Sequence, residues 1–200
     1  MSKQRTIDHE IHPLLKERWS PRAFADRAVD ESILLRVFEA ARWAPSCFNE
    51  QPVRFIIGRK GIGDNHRKMF EILSPGNQIW AGAAPVLGLV CGKKSFTHND
   101  LPNHWHAYDA GQAAAHFTFQ AQSEGLFVHQ MGGFDPARAV ELFGIPPDFQ
   151  PVAALALGYL GDPDSLPDNL KRQELAPGRR RALPGTVFEG DWGEPARFLP

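Results

Sequence analysis

The chain has 200 residues, 42% of them apolar and 22% charged, and a formal charge of −1. That is the balance of an ordinary globular domain, long enough for a sizeable core. It offers no global pull toward nucleic acid or an anionic membrane, and no apolar run approaches the roughly 20 residues of a membrane span.

The polar start MSKQRTIDHE does not read as a signal peptide. Cys47 and Cys91 are too few for a disulfide framework and lack metal-ligand spacing, so a reducing cytoplasm is the expected compartment. In chain order, residues 8–18 predict a short helix capped by Asp8 and broken by Pro13. The polar turn ERWSPRAF follows. Asp30 is placed to cap a helix over 31–44, where Ile33, Leu34, Val37, Phe38 and Ala41 recur at helical spacing and Pro45 ends the run. VRFIIG, 53–58, predicts a strand from its β-branched and aromatic content. Residues 64–73 predict a short helix and 85–91 a buried strand.

From about His104 to Glu124 runs an Ala-rich helix, with Trp105, Tyr108, Ala113, Phe117 and Ala121 at helical spacing and Gly125 as its stop. Alanine on so many faces predicts close packing all round. A short strand over 126–131 comes next. Asp135, Pro136 and Gly144 then bracket a helix as cap, first-turn proline and C-terminal glycine. A buried strand over 152–159, a helix over 166–175, the basic run Arg179-Arg180-Arg181 and a tail rich in Pro and Gly complete the chain. Alternating helices and strands, with no internal repeat, predict a mixed α/β or α+β domain around one sheet.

Four segments could carry chemistry. RWSPR, 18–22, holds two guanidinium forks and a hydroxyl that fit phosphate oxygens, or it is a solvated charged loop. APSCFNEQP, 44–52, holds small and amide side chains that suit a heterocycle edge, or it is a helix stop made of turn residues. Cys47 within it has no His or Asp at a spacing that points to a nucleophilic dyad. QMGGFDP, 130–136, puts two glycines between strand and helix, which permits close backbone approach or forms only a tight turn. The triple arginine is a solvated surface or an anion site. His98, His104 and His106 are too loosely spaced for a metal site and read as a substrate-facing loop or as surface.

Taken in order, RWSPRAF, APSCFNEQPVRFIIG, NQIWAGAAPVLGLV, an Ala-rich helix opening near DAGQAA, and EGLFVHQMGGFD resemble the nitroreductase family of flavin enzymes, from about Arg18 to Arg181. The resemblance implies an α+β fold, a mixed central sheet flanked by helices. It implies a homodimer with FMN in the interface. It divides the chain into an FMN-binding domain, 1–184, and a C-terminal extension, 185–200, of which Val187 to Phe198 would pack on the partner subunit and could add a strand to its sheet. It implies an oxidoreductase that takes electrons from NADH or NADPH and reduces nitroaromatics, quinones or related conjugated acceptors in ping-pong order, with no side chain as catalytic acid or base. Specialised branches (dehalogenation, flavin breakdown) and a non-catalytic FMN sensor are the alternatives.

Residue by residue, the resemblance assigns Arg18, Ser20 and Arg22, with the backbone of Trp19, to the FMN phosphate and pyrimidine edge. Pro45, Ser46, Cys47 and Asn49 would line the partner's flavin, with Cys47 where serine is common. Asn77 would lie beside the ring, and Gly132 and Gly133 where the chain passes flavin N5. Arg180 and Arg181 match a basic phosphate-binding pair, with Gly178 where a first arginine is usual. Apart from the resemblance, the aromatic, polar and loop-like composition of 95–108 makes Phe96, His104, Trp105 or Tyr108 the expected cover of the flavin face.

Overall fold

The structure, a computed structural model, describes residues 5–199. Four strands, β1 (Val53–Arg59), β2 (Val86–Lys93), β3 (Phe127–Met131) and β4 (Phe149–Gly158), form one sheet in the order β1-β2-β4-β3. Seven α-helices surround it: α1 (Pro13–Glu17), α2 (Glu31–Arg42), α3 (Asn65–Glu71), α4 (Pro75–Ala81), α5 (His106–Ser123), α6 (Pro136–Phe143) and α7 (Asp168–Leu175).

The central strands read as near-continuous apolar runs because helices cover both sheet faces. Along β2 alternate side chains part company. Leu87, Leu89 and Cys91 join a core with Met69, Ile72, Trp80 and Ala139, from α3, α4 and α6. Val86 and Val90 join a second core with Leu34, Val37, Ala113 and Phe117, from α2 and α5. The second core turns on Phe117, whose ring stacks on Phe55 at 5.7 Å and tilts against Phe38 at 5.3 Å. Among the described residues no helix is long and apolar enough to cross a membrane.

The class is α+β as expected, but the pairing is simpler than a mixed sheet. All three strand pairs are antiparallel, and a parallel contact is made by the isolated bridge Arg5–Gly178. Pro13 does not break the first helix; it opens it, because a first-turn residue needs no N–H donor. The cap is the His12 ring rather than Asp8, accepting from Leu14 N. Asp30 stands at the α2 cap position without a side-chain hydrogen bond to the helix. The bracket around α6 is as expected: Asp135 accepts from Arg138 N, and Gly144 is left-handed at φ 60°.

Helix α4 is an addition. It opens with Ser74 at the cap position and Pro75 in the first turn, and it packs Trp80 and Ala81 into the core. Helix α5 is not enclosed all round: Ala110, Ala113, Ala114, Phe117 and Ala121 are buried, whereas Ala107, Tyr108 and Gly111 form an open stripe. The tail closes on itself. Ala196 N donates to Val187 O, Phe188 bridges Pro195, and the Phe188 and Trp192 rings meet at 5.2 Å.

Because Phe117 joins α5, α2 and β1 in one buried contact, Phe117→Ala is expected to lower unfolding stability by about 3–5 kcal/mol, read by urea denaturation.

Candidate cofactor site

The RWSPR turn lies along the β3 edge. Arg18 is the first non-helical residue after α1. Trp19 is buried with its ring edge-on to Phe127 at 6.2 Å. The Pro21 carbonyl accepts from His129 Nδ1 at 2.9 Å, and the His129 ring lies 4.5 Å from Trp80 of α4. From the other side the buried Glu174 carboxylate accepts from Arg22 N at 2.9 and 3.0 Å and from Ala23 N at 3.1 Å. The turn's backbone is thus fixed by β3 and α7, and its side chains are left for other work. Arg18 Nη1 reaches Ser20 Oγ at 3.5 Å.

Two further arginines approach Arg18. The space a side chain at Gly178 would take is filled by Arg5, whose Cγ would lie 3.2 Å from a Cβ there. Burial first, then the charge of Arg180, pulls the Arg18 guanidinium below its ordinary pKa. Arg5 is pulled down by burial, then by Arg18 and Arg180. None of these three pairs with a carboxylate among the described residues. Crowded, unneutralised guanidinium groups of this kind suit a multiply charged anion. Of the expected basic pair, Arg180 joins the cluster, while Arg181 makes no side-chain hydrogen bond or ion pair among the described residues.

Asn77 and Gly133 are joined as a unit. Asn77 Nδ2 donates to Gly133 O at 2.9 Å, and Ser74 N donates to the same oxygen at 2.9 Å. A Cβ on Gly133 would lie 2.7 Å from Ser74 Oγ and 2.8 Å from Asn77 Nδ2, so a side chain there would push Ser74 or Asn77 out of place and disturb the Asn77–Gly133 bond. Gly132 is the open one, with nothing within 4 Å of its Cβ position. Trp80, three residues after Asn77, meets His129 and so ties this unit to the RWSPR turn.

The loop 44–52 is elsewhere. It leads into β1, at the opposite sheet edge from β3. Three strand spacings separate the edges, about 14 Å. Buried Asp109 of α5 accepts from Cys47 N at 3.1 Å, and Ser46 Oγ accepts from Gln51 N at 2.9 Å. Burial raises the Asp109 pKa, against the pull of the Cys47 N–H and of His106. Beside the loop lies a cavity of about 310 Å³, lined by Phe38, Arg42, Pro45, Ser46, Phe55 and Asp109 among others. Pro45 and Asn49 are exposed.

The expected aromatic cover divides. Phe96 is buried against Phe48 and His98, so it cannot lie open over a ligand. His104, Trp105 and Tyr108 are exposed, with Trp105 and Tyr108 edge-on at 6.4 Å. His106 engages Asn103 O through Nδ1 and Gln150 through Nε2. No metal-binding group of three His, Cys, Asp or Glu is present among the described residues. Burial pushes the Cys91 thiol up to about 11, which leaves it unreactive. Sequence reasoning missed Arg5, Glu174, Asp109 and Ser74. Each acts on a partner distant in the chain, and only the Gly178 departure hinted that a guanidinium was being supplied from elsewhere.

Glu174→Ala leaves the Arg22 and Ala23 N–H groups without their acceptor and is expected to cost about 2–3 kcal/mol in urea denaturation. His129 is held down to about 4 from 6.5, by burial first and by Arg22, against the carbonyls that favour its protonated form. Its neutral form is the folded one, so its stability is complete above pH 6.5 and is lost as pH falls toward 4. The loss amounts to about 3 kcal/mol, and His129→Gln should flatten that part of the stability–pH curve.

The nitroreductase family model matches residues 15–159. An uncharacterized 15.4 kDa protein of Mycolicibacterium smegmatis is 35% identical over 150 residues, covering 72% of this chain and 99% of its own. A Streptomyces coelicolor protein provisionally named an NADH dehydrogenase/NAD(P)H nitroreductase is 27% identical over 161 residues, covering 70% of this chain and 78% of its own. A crystal structure described as an oxidoreductase containing FMN superposes with a TM-score of 0.90 at 37% identity, over 96% of this chain and 98% of that one. With the fold, the RWSPR turn and the Asn77–Gly133 unit where that family model runs, the chain belongs to the nitroreductase family.

Proposed function

We propose that this chain binds FMN and, as half of a homodimer, reduces nitroaromatic, quinone or related conjugated acceptors with electrons from NAD(P)H in ping-pong order. The observation that carries the reading is the guanidinium cluster of Arg5, Arg18 and Arg180, without a carboxylate partner among the described residues, on the edge that also holds Asn77 and Gly133. The site fits the group. The cluster matches a phosphate in charge, guanidinium forks suit its oxygens, and Gly132 leaves open backbone where a flat ring could approach. The relatives named for FMN and for NAD(P)H nitroreductase activity support the same assignment.

Bound FMN supplies the two-electron chemistry, accepting reducing equivalents from the nicotinamide and handing them to the acceptor. The chain's own part is binding and orientation. Arg18, Ser20, Arg180 and Arg5 would hold the phosphate, with Arg5 standing in for the arginine absent at Gly178, and Arg181 would add to the field. Arg22 and the Trp19 backbone N–H would face the pyrimidine edge, where a positive charge and a donor favour negative charge on the group they bind. Asn77 and the Gly132–Gly133 backbone would lie beside the ring.

The second wall comes from a second copy. Pro45, Ser46, Cys47 and Asn49 lie at the opposite sheet edge from the cradle, so one chain does not complete the site. The open stripe Ala107, Tyr108 and Gly111 on α5 is the surface such a copy would cover. The extension 185–200 would pack on that partner, with Trp192 92% exposed in the single chain. Two free cysteines are compatible with a reducing cytoplasm.

The purified protein is expected to carry, or take up, FMN with a flavin absorption spectrum that NAD(P)H bleaches without oxygen. A colourless protein that cannot be reconstituted with FMN overturns the reading. Arg5→Ala and Arg18→Ala are each expected to weaken FMN binding about 10- to 100-fold, with a milder salt dependence than the parent, as measured by flavin fluorescence titration.

A further inference from the structure

The described chain has four non-glycine residues in the left-handed backbone region, Phe48 (φ 52°), Asn49 (φ 55°), Gln51 (φ 51°) and Asp100 (φ 57°). Three are in the 46–51 loop and the fourth is in the turn 96–101. Such conformations are disfavoured for residues with a Cβ, and bulky ones such as Phe most of all, so they persist only where neighbours hold them.

Glu50 lies between two of these residues and joins the two segments. Its side chain is 4% exposed. Oε2 accepts from Thr97 N at 2.9 Å and Oε1 from Thr97 Oγ1 at 2.5 Å, while Lys93 Nζ stands 3.6 Å from Oε1. Lys93 Nζ also donates to Thr97 Oγ1 at 2.8 Å. The turn that receives this carboxylate is closed by Phe96 N to Leu101 O at 2.8 Å and Asp100 N to Phe96 O at 2.9 Å. On its outer side Phe48 packs edge-on against Phe96 at 5.7 Å and His98 at 5.8 Å.

We infer that Glu50 is a positioning residue: its buried carboxylate clamps the left-handed 46–51 loop to the 96–101 turn, so that the loop wall of the cofactor site is shaped before any ligand arrives. The inference rests on the proposed reading of Pro45, Ser46, Cys47 and Asn49 as that wall. Glutamine at position 50 keeps the volume and can still accept from Thr97 N, but its NH₂ takes the place of the charged oxygen that faces Thr97 Oγ1 and Lys93 Nζ, so the Thr97 hydroxyl must turn from donor to acceptor and the pairing with Lys93 is lost. Glycine at position 51 adopts φ 51° without strain, so a loop with Gln51→Gly has less need of the clamp.

The experiment has two readouts. Amide hydrogen exchange at Cys47, in protein without flavin, reports the loop itself, because that N–H is bonded to Asp109 only while the loop keeps its shape. FMN affinity by fluorescence titration reports the wall. Glu50→Gln is expected to speed Cys47 exchange and to raise the FMN dissociation constant by about tenfold each, which is the population shift expected when one strained residue loses its support. The Glu50→Gln, Gln51→Gly double variant is expected to recover most of both. Unchanged Cys47 exchange in Glu50→Gln overturns the clamp, as does a loss of affinity that Gln51→Gly fails to rescue or a lowered melting temperature with FMN affinity intact. If the parent protein takes up no FMN, the cofactor reading falls and the exchange result decides the clamp alone. Should Glu50→Gln fail to fold, Thr97→Val, at an exposed position, must give a weaker version of the same exchange and affinity changes for the clamp to stand.

Discussion

Three guanidinium groups that repel one another, those of Arg5, Arg18 and Arg180, are brought together in this fold, and none of them pairs with a carboxylate among the described residues. Such an arrangement cannot hold itself together and depends on backbone placed independently at each arginine. Arg18 is placed by the end of α1 and the burial of Trp19, Arg5 by its bridge to Gly178, and Arg180 by the segment that leaves α7. The sheet, the helices and the buried aromatic contacts therefore act as a frame for unneutralised charge. An anion that enters the cluster relieves the repulsion and gains charge-assisted bonds together, and so a phosphate-bearing cofactor fits it.

Three carboxylates do much of the holding, each through backbone N–H groups rather than through the clustered arginine side chains. Glu174 accepts from the Arg22 and Ala23 N–H groups, Asp109 from Cys47 N, and Glu50 from Thr97 N. In each case a side chain with little exposure satisfies backbone donors in a loop that the sheet does not pair. A buried carboxylate is tolerated where hydrogen bonds replace its water, and a loop N–H away from water needs such an acceptor. Each staple solves two problems and leaves the loop's own side chains free. The same logic explains why His129 remains neutral: its ring donates to Pro21 O within an apolar contact with Trp80, and a charge there would be costly.

The strand order sets the division of labour. With β1 and β3 at the two edges, the RWSPR turn and the Asn77–Gly133 unit fall on one side, and the 44–52 loop falls on the other. Helix α5 spans both, with Asp109 near the loop at its start and Phe117 in the core beneath β1. Its open stripe of small residues and Tyr108 lies on the same helix as the Asp109 staple. A surface for a second copy and the support of the loop are thus built on one element.

Much of the secondary structure follows from local chemistry that the sequence states outright. Asp135, Pro136 and Gly144 delimit α6 because a cap, a missing N–H and a left-handed glycine each act within one turn of the chain. Val53 to Arg59 forms a strand because its side chains suit a pleated, half-buried surface. The motif residues Arg18, Ser20, Asn77, Gly133 and Arg180 were also legible, as family pattern. What the sequence could not declare depends on partners distant in the chain. Helix α4 is only seven residues long, too short to stand out by periodicity, and burial of Trp80 and Ala81 in the core secures it. Arg5 stands beside Gly178, and Glu174 bonds a turn more than a hundred residues away. Phe48 and Gln51 are left-handed although neither residue type advertises it, because Glu50 and the distant turn whose Thr97 donates to it hold them so. Sequence by itself determined the segments whose energetics lie within a few residues. Tertiary structure alone decided which charges stay unpaired, which carboxylates are buried and where backbone strain is kept, because each is settled by groups that only folding brings together.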